Sequence, residues 1–278
     1  MSFESIMFHI NAGRSDRKRD SLIPLPAGVE QINNLSYGPY SKYNLLDVYR
    51  PEGKKNLPFI VNIPGGGFVY GSKEVYKRYC MDLARRGFCV VNINYRLAPR
   101  WKFPTPLADT NAVMEWIIHN AAQYHLDPNR IIVLGDSAGA QMTSQYAAMM
   151  TNPEYGKLFG LKPVKIRIRA IGLFCGLYDL SVRAAQPRKG MNKDYFGRIP
   201  AEDPRFRCLE SITSDYPPAF IMTGTEDFLR DLAQPMYEFL RSKNVEAKWK
   251  CYGQEGDKRA GHVFHVNILL PEAVQCND

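Results

Sequence analysis

Residues 131–150 read IIVLGDSAGAQMTSQYAAMM. An apolar, β-branched run passes at Gly135 straight into a helix-forming stretch. Gly135-Asp136-Ser137-Ala138-Gly139 fits the pattern G-x-S-x-G. In that setting the serine sits on a sharp strand-to-helix turn, with glycines where a Cβ would clash. Its hydroxyl projects above the end of a sheet, and the next helix aims its partly positive N-terminus at the same place. A chain with such a junction needs further strands beside this one and helices to cover them.

The rest of the sequence supplies both. Short apolar runs rich in β-branched and aromatic residues predict strands at 43–49, 58–63, 88–95, 130–135, 170–176, 219–224 and 247–252. The middle runs are almost continuously apolar rather than alternating, the mark of strands buried on both faces in a parallel sheet. Helical spacing lies between them. Val75, Tyr76, Tyr79, Cys80 and Leu83 recur at three and four residues within 73–86, and Gly87 is placed to stop that helix. Residues 107–124 and 231–243 carry similar stripes. Strands alternating with helices imply crossover connections, hence an α/β chain with a three-layer sandwich and a mostly parallel central sheet.

No internal repeat or low-complexity linker divides residues 1–278, so a single domain is expected. Two stretches break the rhythm. Residues 1–42 show scattered Pro and Gly with little periodicity. Residues 177–216 form an excursion long enough to be a lid or an insert. Tyr195, Phe196, Phe206 and Leu209 within it favour an ordered lid.

Composition excludes several classes. The six cysteines are scattered, without C-x-x-C or zinc-type spacing. Neither a metal nor a cofactor is expected. The formal charge of +8 comes partly from clusters at 14–19, 165–169 and 188–190, read as solvated faces. No nucleic-acid module accompanies them. No apolar run is long enough to span a membrane. The N-terminal stretch lacks the build of a signal peptide, so a cytoplasmic location is expected. A homodimer stays open as an assembly.

A serine hydroxyl is a weak nucleophile until a base takes its proton and a third group orients that base. After a G-x-S-x-G turn the expected chain order is Ser, then Asp or Glu, then His. That order sets aside His9, His119 and His125. His262 follows Gly261 in a loop-like stretch beyond the last strand and is preferred to His265, whose plainer role is packing or a surface hydrogen bond. Asp227 sits where the chain leaves the 219–224 run, and it is preferred to Glu226, Asp179 and Asp231. Asp231 is better suited to capping the helix that follows.

NIPGGGFVYGS (62–72) places Gly65, Gly66 and Gly67 after a strand that ends at the same sheet edge. Acyl transfer builds negative charge on a carbonyl oxygen, and each backbone N–H aimed at it stabilises the transition state by roughly 3 kcal/mol. Glycines allow two successive N–H groups to face that oxygen at close range. Nucleotide loops fail on detail. G-x-G-x-x-G would need glycine at Tyr70, and a P-loop would need Lys-Ser where the chain has Ser72-Lys73.

These segments, with NYRLAPRWKFPTPLADT (94–110), TGTEDFLRD (223–231) and GHVF (261–264), resemble the hormone-sensitive-lipase-like branch of the α/β-hydrolase esterases. The resemblance implies an α/β-hydrolase fold and a Ser137, Asp227, His262 triad. It also implies an oxyanion hole from the N–H groups of Gly66, Gly67 and Ala138. Residues 1–42 and 177–216 would form a small cap, with Phe68 and Tyr70 lining the site. Two departures stand out. Pro64 replaces the family's histidine, and the chain ends at Asp278 where relatives commonly continue into a longer final helix. The expected activity is hydrolysis of small, short-chain acyl esters such as acetyl esters, without a cofactor. An arylformamidase-type amidase and a non-catalytic ligand receptor on the same scaffold are the alternatives.

Overall fold

Every residue of Cys89–Ile93 is buried, which requires cover on both faces of that strand. The computed structural model describes residues 1–162 and 164–278 and supplies that cover in three layers. The central sheet contains β1 (Val29–Ser36), β2 (Leu45–Pro51), β3 (Leu57–Ile63), β4 (Cys89–Ile93), β5 (Leu126–Asp136), β6 (Ile168–Phe174), β7 (Ala219–Gly224) and β8 (Ala247–Tyr252). Their order is β1-β2-β4-β3-β5-β6-β7-β8. β1 and β2 are antiparallel to their neighbours, and every pairing from β4 through β8 is parallel.

The helices are α1 (Phe3–Leu22), α2 (Lys77–Arg85), α3 (Thr105–Tyr124), α4 (Ala138–Thr151), α5 (Pro153–Lys157), α6 (Leu180–Ala184), α7 (Gly190–Phe196), α8 (Ala233–Ser242) and α9 (Pro271–Asn277). Period-two alternation divides the sheet's side chains between its faces. Val61, Val91 and Val133 join Met114, Met142 and Leu240 of α3, α4 and α8 in one core. Ile60, Val90 and Leu134 join Tyr79, Met81 and Ala273 of α2 and α9 in the other. No helix among the described residues is long and apolar enough to cross a membrane.

The seven expected strands are present, and β1 is an eighth. Residues 29–36 therefore form a sheet edge, not part of a cap. Their sequence, VEQINNLS, is half polar because only one neighbour and one face need covering. α1 is a second departure from the expectation for residues 1–42. Ser2 caps it by accepting from Ser5 N, but Phe3, Ile6, Met7 and Ile10 face outward, and Ser5 and Gly13 are its buried residues. An apolar stripe turned away from the core gives no reliable signal of how the helix packs. Asp231 also departs from its expected place. It is exposed, beside Arg230, and α8 begins without a side-chain cap.

Candidate active site

β5 delivers Ser137 to the C-terminal edge of the parallel strands, directly before α4. Its backbone lies at φ 52° and ψ −116°, outside the ordinary regions for a side-chain-bearing residue. The turn is held by close backbone packing. A Cβ on Gly139 would lie 2.1 Å from the Ile63 carbonyl oxygen, and one on Gly135 would lie 2.3 Å from that of Gly139. Ser137 N donates to the Phe174 carbonyl at 2.8 Å, tying the turn to β6.

His262 and Asp227 reach the serine from the loops after β8 and β7. His262 Nε2 is 3.0 Å from Ser137 Oγ, and His262 Nδ1 is 2.7 Å from Asp227 Oδ1. This suits a neutral imidazole that donates from Nδ1 and accepts at Nε2. The two loops are pinned together by a parallel bridge between Glu226 and Gly261, with Glu226 N donating to the Ala260 carbonyl at 3.0 Å. Asp227 also accepts from Leu229 N at 2.9 Å and Thr223 Oγ1 at 2.8 Å. Burial pushes its carboxyl up, but the His262, Leu229 and Thr223 donors outweigh burial and hold it below the ordinary aspartate value.

The other candidates are engaged elsewhere. His265 is buried against Tyr79 and Phe174, and burial pushes its pKa down to about 3. Glu226 accepts from Gly256 N, and Asp179 caps α6. His119 is exposed, His125 ends α3, and His9 on α1 contacts the Val69 carbonyl. Cys175 brings its thiol beside Asp227 and His262, with the three donor atoms within 4.8 Å of one another. Burial pushes that thiol well above its usual range, and Asp227 and His262 already engage each other. We read the trio as hydrogen-bond support for the aspartate.

The loop after β3 faces Ser137. Gly65 N donates to Asp136 Oδ1 at 3.2 Å and to the Tyr76 hydroxyl at 3.0 Å, so it is occupied. The N–H groups of Gly66 and Gly67 have no acceptor among the described residues. That of Ala138, first in α4, has none within its own helix. Gly66 is at φ 123°, and a Cβ there would lie 2.2 Å from the Tyr70 carbonyl oxygen. Pro64 is buried, and its carbonyl accepts from Tyr95 Oη at 2.8 Å. The Y-R-L-A-P segment thus braces this loop from below, with Ala98 N donating to the Phe68 carbonyl at 3.0 Å.

Residues 60–266 match a family model described as alpha/beta hydrolase fold. The chain belongs to this family. Among its relatives, "Probable carboxylic ester hydrolase LipM" of Mycobacterium tuberculosis is 29% identical over 214 residues, covering 72% of this chain and 49% of that protein. Esterase LipQ of the same organism is 26% identical, covering 84% and 59%. The chain thus spans roughly half the length of these two relatives. An acetyl esterase of Salmonella paratyphi B is 28% identical, covering 84% and 70%. Esterase B from Lactobacillus rhamnosis has the same fold, with a TM-score of 0.80 at 22% identity over 96% of this chain and 89% of that one.

In this alpha/beta hydrolase the serine opens into a cavity of about 420 Å³. Phe68 and Tyr70 both line it. α1 forms one wall through Phe8, Ala12, Ser15, Asp16 and Arg19, while Leu177, Arg183 and Met191 come from the 177–216 excursion. The Phe68 ring stacks on Tyr195 of α7 at 3.8 Å and 3°, joining the glycine loop to that excursion. Sequence reasoning missed Tyr76, Tyr95, Asp136, Thr223 and Phe228. Asp136 and Tyr95 lie inside motifs already singled out, so their position was a signal. Phe228, also inside such a motif, is exposed, with its ring 4.2 Å from that of His262.

Proposed function

We propose that this chain is a serine carboxylesterase acting on small acyl esters. The continuous hydrogen-bond chain from Ser137 Oγ through His262 to Asp227 is the observation that carries the reading. His262 Nε2 takes the Ser137 proton as Oγ attacks the ester carbonyl. Asp227 stabilises the imidazolium that results. The N–H groups of Gly66, Gly67 and Ala138 receive the developing oxyanion. Collapse of the tetrahedral intermediate expels the alcohol, which takes its proton from His262. Water, activated by the same histidine, then cleaves the acyl-enzyme.

The names of the relatives support ester hydrolysis as the reaction class, acetyl esters among its substrates. A mostly apolar cavity of about 420 Å³ suits a small acyl group. α1 and the 177–216 excursion act as its cap. Ser137→Ala should abolish hydrolysis of short p-nitrophenyl esters and labelling by a fluorophosphonate, with the thermal transition retained. Wild-type turnover in that variant would remove Ser137 from the mechanism. N-formyl aromatic amides in the same panel test the arylformamidase alternative.

A further inference from the structure

Arg183 of α6 lines the same cavity as Ser137 and His262. Its Nε donates to Asn192 Oδ1 at 2.9 Å. Among the described residues, its two terminal nitrogens have no hydrogen-bond acceptor, and no carboxylate oxygen lies within 4.0 Å of the guanidinium. Arg19, the other arginine of the wall, is fully engaged with Asp16, Asp20 and the Val75 carbonyl. Asp16 in turn accepts from Tyr70 Oη at 2.7 Å. Asp136 is held by Tyr76 and Gly65. No acid of the cavity wall is therefore left to neutralise Arg183. Glu4 of α1 contributes some favourable field, but it is exposed and beyond ion-pair distance.

A guanidinium held partly out of water without a counter-charge at ion-pair distance is costly, and burial holds this one below the usual arginine range. The cost falls when a ligand supplies two oxygens to the planar fork. Most of the remaining wall is apolar, including Phe8, Val75, Leu177, Met191 and Val266. Of the two arginines in this wall, Arg183 is thus the one whose terminal nitrogens are free to pair with a substrate anion, in a largely apolar setting.

We propose that Arg183 determines specificity by pairing with a carboxylate carried by the substrate. The preferred ester would then be a monoanion, such as the half-ester of a short dicarboxylic acid or the acyl ester of a hydroxy acid. This rests on the esterase reading of the same site and adds the substrate class to it.

Two substrate pairs test the proposal and separate the halves of the ester. p-Nitrophenyl hemiglutarate against p-nitrophenyl butyrate places the charge on the acyl side. 4-Acetoxybenzoate against 4-acetoxybenzamide places it on the alcohol side. In wild type the anionic member of one pair should have the higher kcat/KM. Arg183→Gln should lower that anionic-to-neutral ratio tenfold or more, and Arg183→Lys should restore part of it. The ratio is internally controlled, and fluorophosphonate labelling reports folded variants. Neutral esters hydrolysed with ratios below one in both pairs, or a ratio unmoved by Arg183→Gln, would overturn this inference alone. Failure to hydrolyse any of the four esters, with no fluorophosphonate labelling, would overturn the esterase reading and this inference with it.

Discussion

The Tyr76 hydroxyl donates to Asp136 Oδ2 at 2.7 Å and accepts from Gly65 N at 3.0 Å. One buried tyrosine thus ties the residue before the nucleophile to the loop that would hold the oxyanion. The distance between Ser137 and the free N–H groups of Gly66 and Gly67 depends on this tie. Asp136 strengthens it by accepting from Gly65 directly at 3.2 Å.

Removing the tie should therefore affect the transition state more than ground-state binding. Tyr76→Phe keeps the ring in its core but frees one face of Asp136 and loosens Gly65. We expect kcat for a short p-nitrophenyl ester to fall by about 10- to 100-fold, with KM changed much less, as for a misplaced oxyanion donor. Equal losses in both parameters would point to a general packing defect.

Asp136 gives a pH-dependent prediction. Burial pushes its carboxyl up to about 6 from 3.8, with Tyr76 and Gly65 opposing only part of the rise. Between those two values the folded protein holds a proton that the unfolded chain has lost. Stability therefore falls as pH rises through this window, and the loss is complete above about pH 6. Asp136→Asn does not titrate. Its unfolding free energy relative to wild type should improve by about 2–3 kcal/mol between pH 4 and pH 7. Denaturant melts at the two pH values measure this, and an identical offset at both would rule it out.

Asp227 fixes the histidine as well as its charge. Asp227→Asn removes the negative charge that faces His262 Nδ1, and an amide turned with its NH2 toward the ring would donate to Nδ1 and impose the wrong tautomer. We expect kcat to fall by about 10³- to 10⁴-fold near neutral pH. Single-turnover acylation with a p-nitrophenyl ester would locate the loss in the chemical step.

Outside the cavity wall, Lys73 Nζ and Asp47 Oδ1 form a 2.9 Å ion pair with both side chains only 3% exposed. Asp47 also accepts from Asn34 N and Tyr49 Oη. Asp47→Ala takes the buried carboxylate from Lys73, leaving it Asn34 Oδ1 and the exposed Glu74, and removes the acceptor of the Tyr49 hydroxyl. It should cost about 3 kcal/mol or more of stability, measured by denaturant unfolding. A loss below about 1 kcal/mol would mean that Glu74, which also reaches Lys73 at 2.9 Å, suffices as its partner.

How much was legible differed by element for physical reasons. The runs at 58–63, 88–95 and 130–135 announced themselves because strands covered on both faces must be apolar at every position. β1 escaped because a polar edge strand pairs through its backbone and shows half its side chains to water. α1 escaped because Phe3, Ile6, Met7 and Ile10 point outward while Phe8 and Ala12 wall the cavity and Ser5 seats the inner face by donating to Asp194 at 2.7 Å. Capping preference misled at Asp231, where α8 instead emerges from a 3₁₀ turn over Arg230–Leu232.

The sequence by itself determined the layered α/β architecture, the serine turn, and a shortlist of acids and histidines in the right chain order. Those follow from local rules: side-chain periodicity, glycine at close backbone approaches, and motif spacing. Only the tertiary structure decided which members meet. Asp227 and His262 are brought into contact by a bridge between two loops 35 residues apart in the chain. It likewise decided that α1 walls the cavity and that Arg183 lines it with no carboxylate of the described residues within 4.0 Å. Such relationships depend on long-range packing, and no local pattern encodes the distance between residues on separate loops.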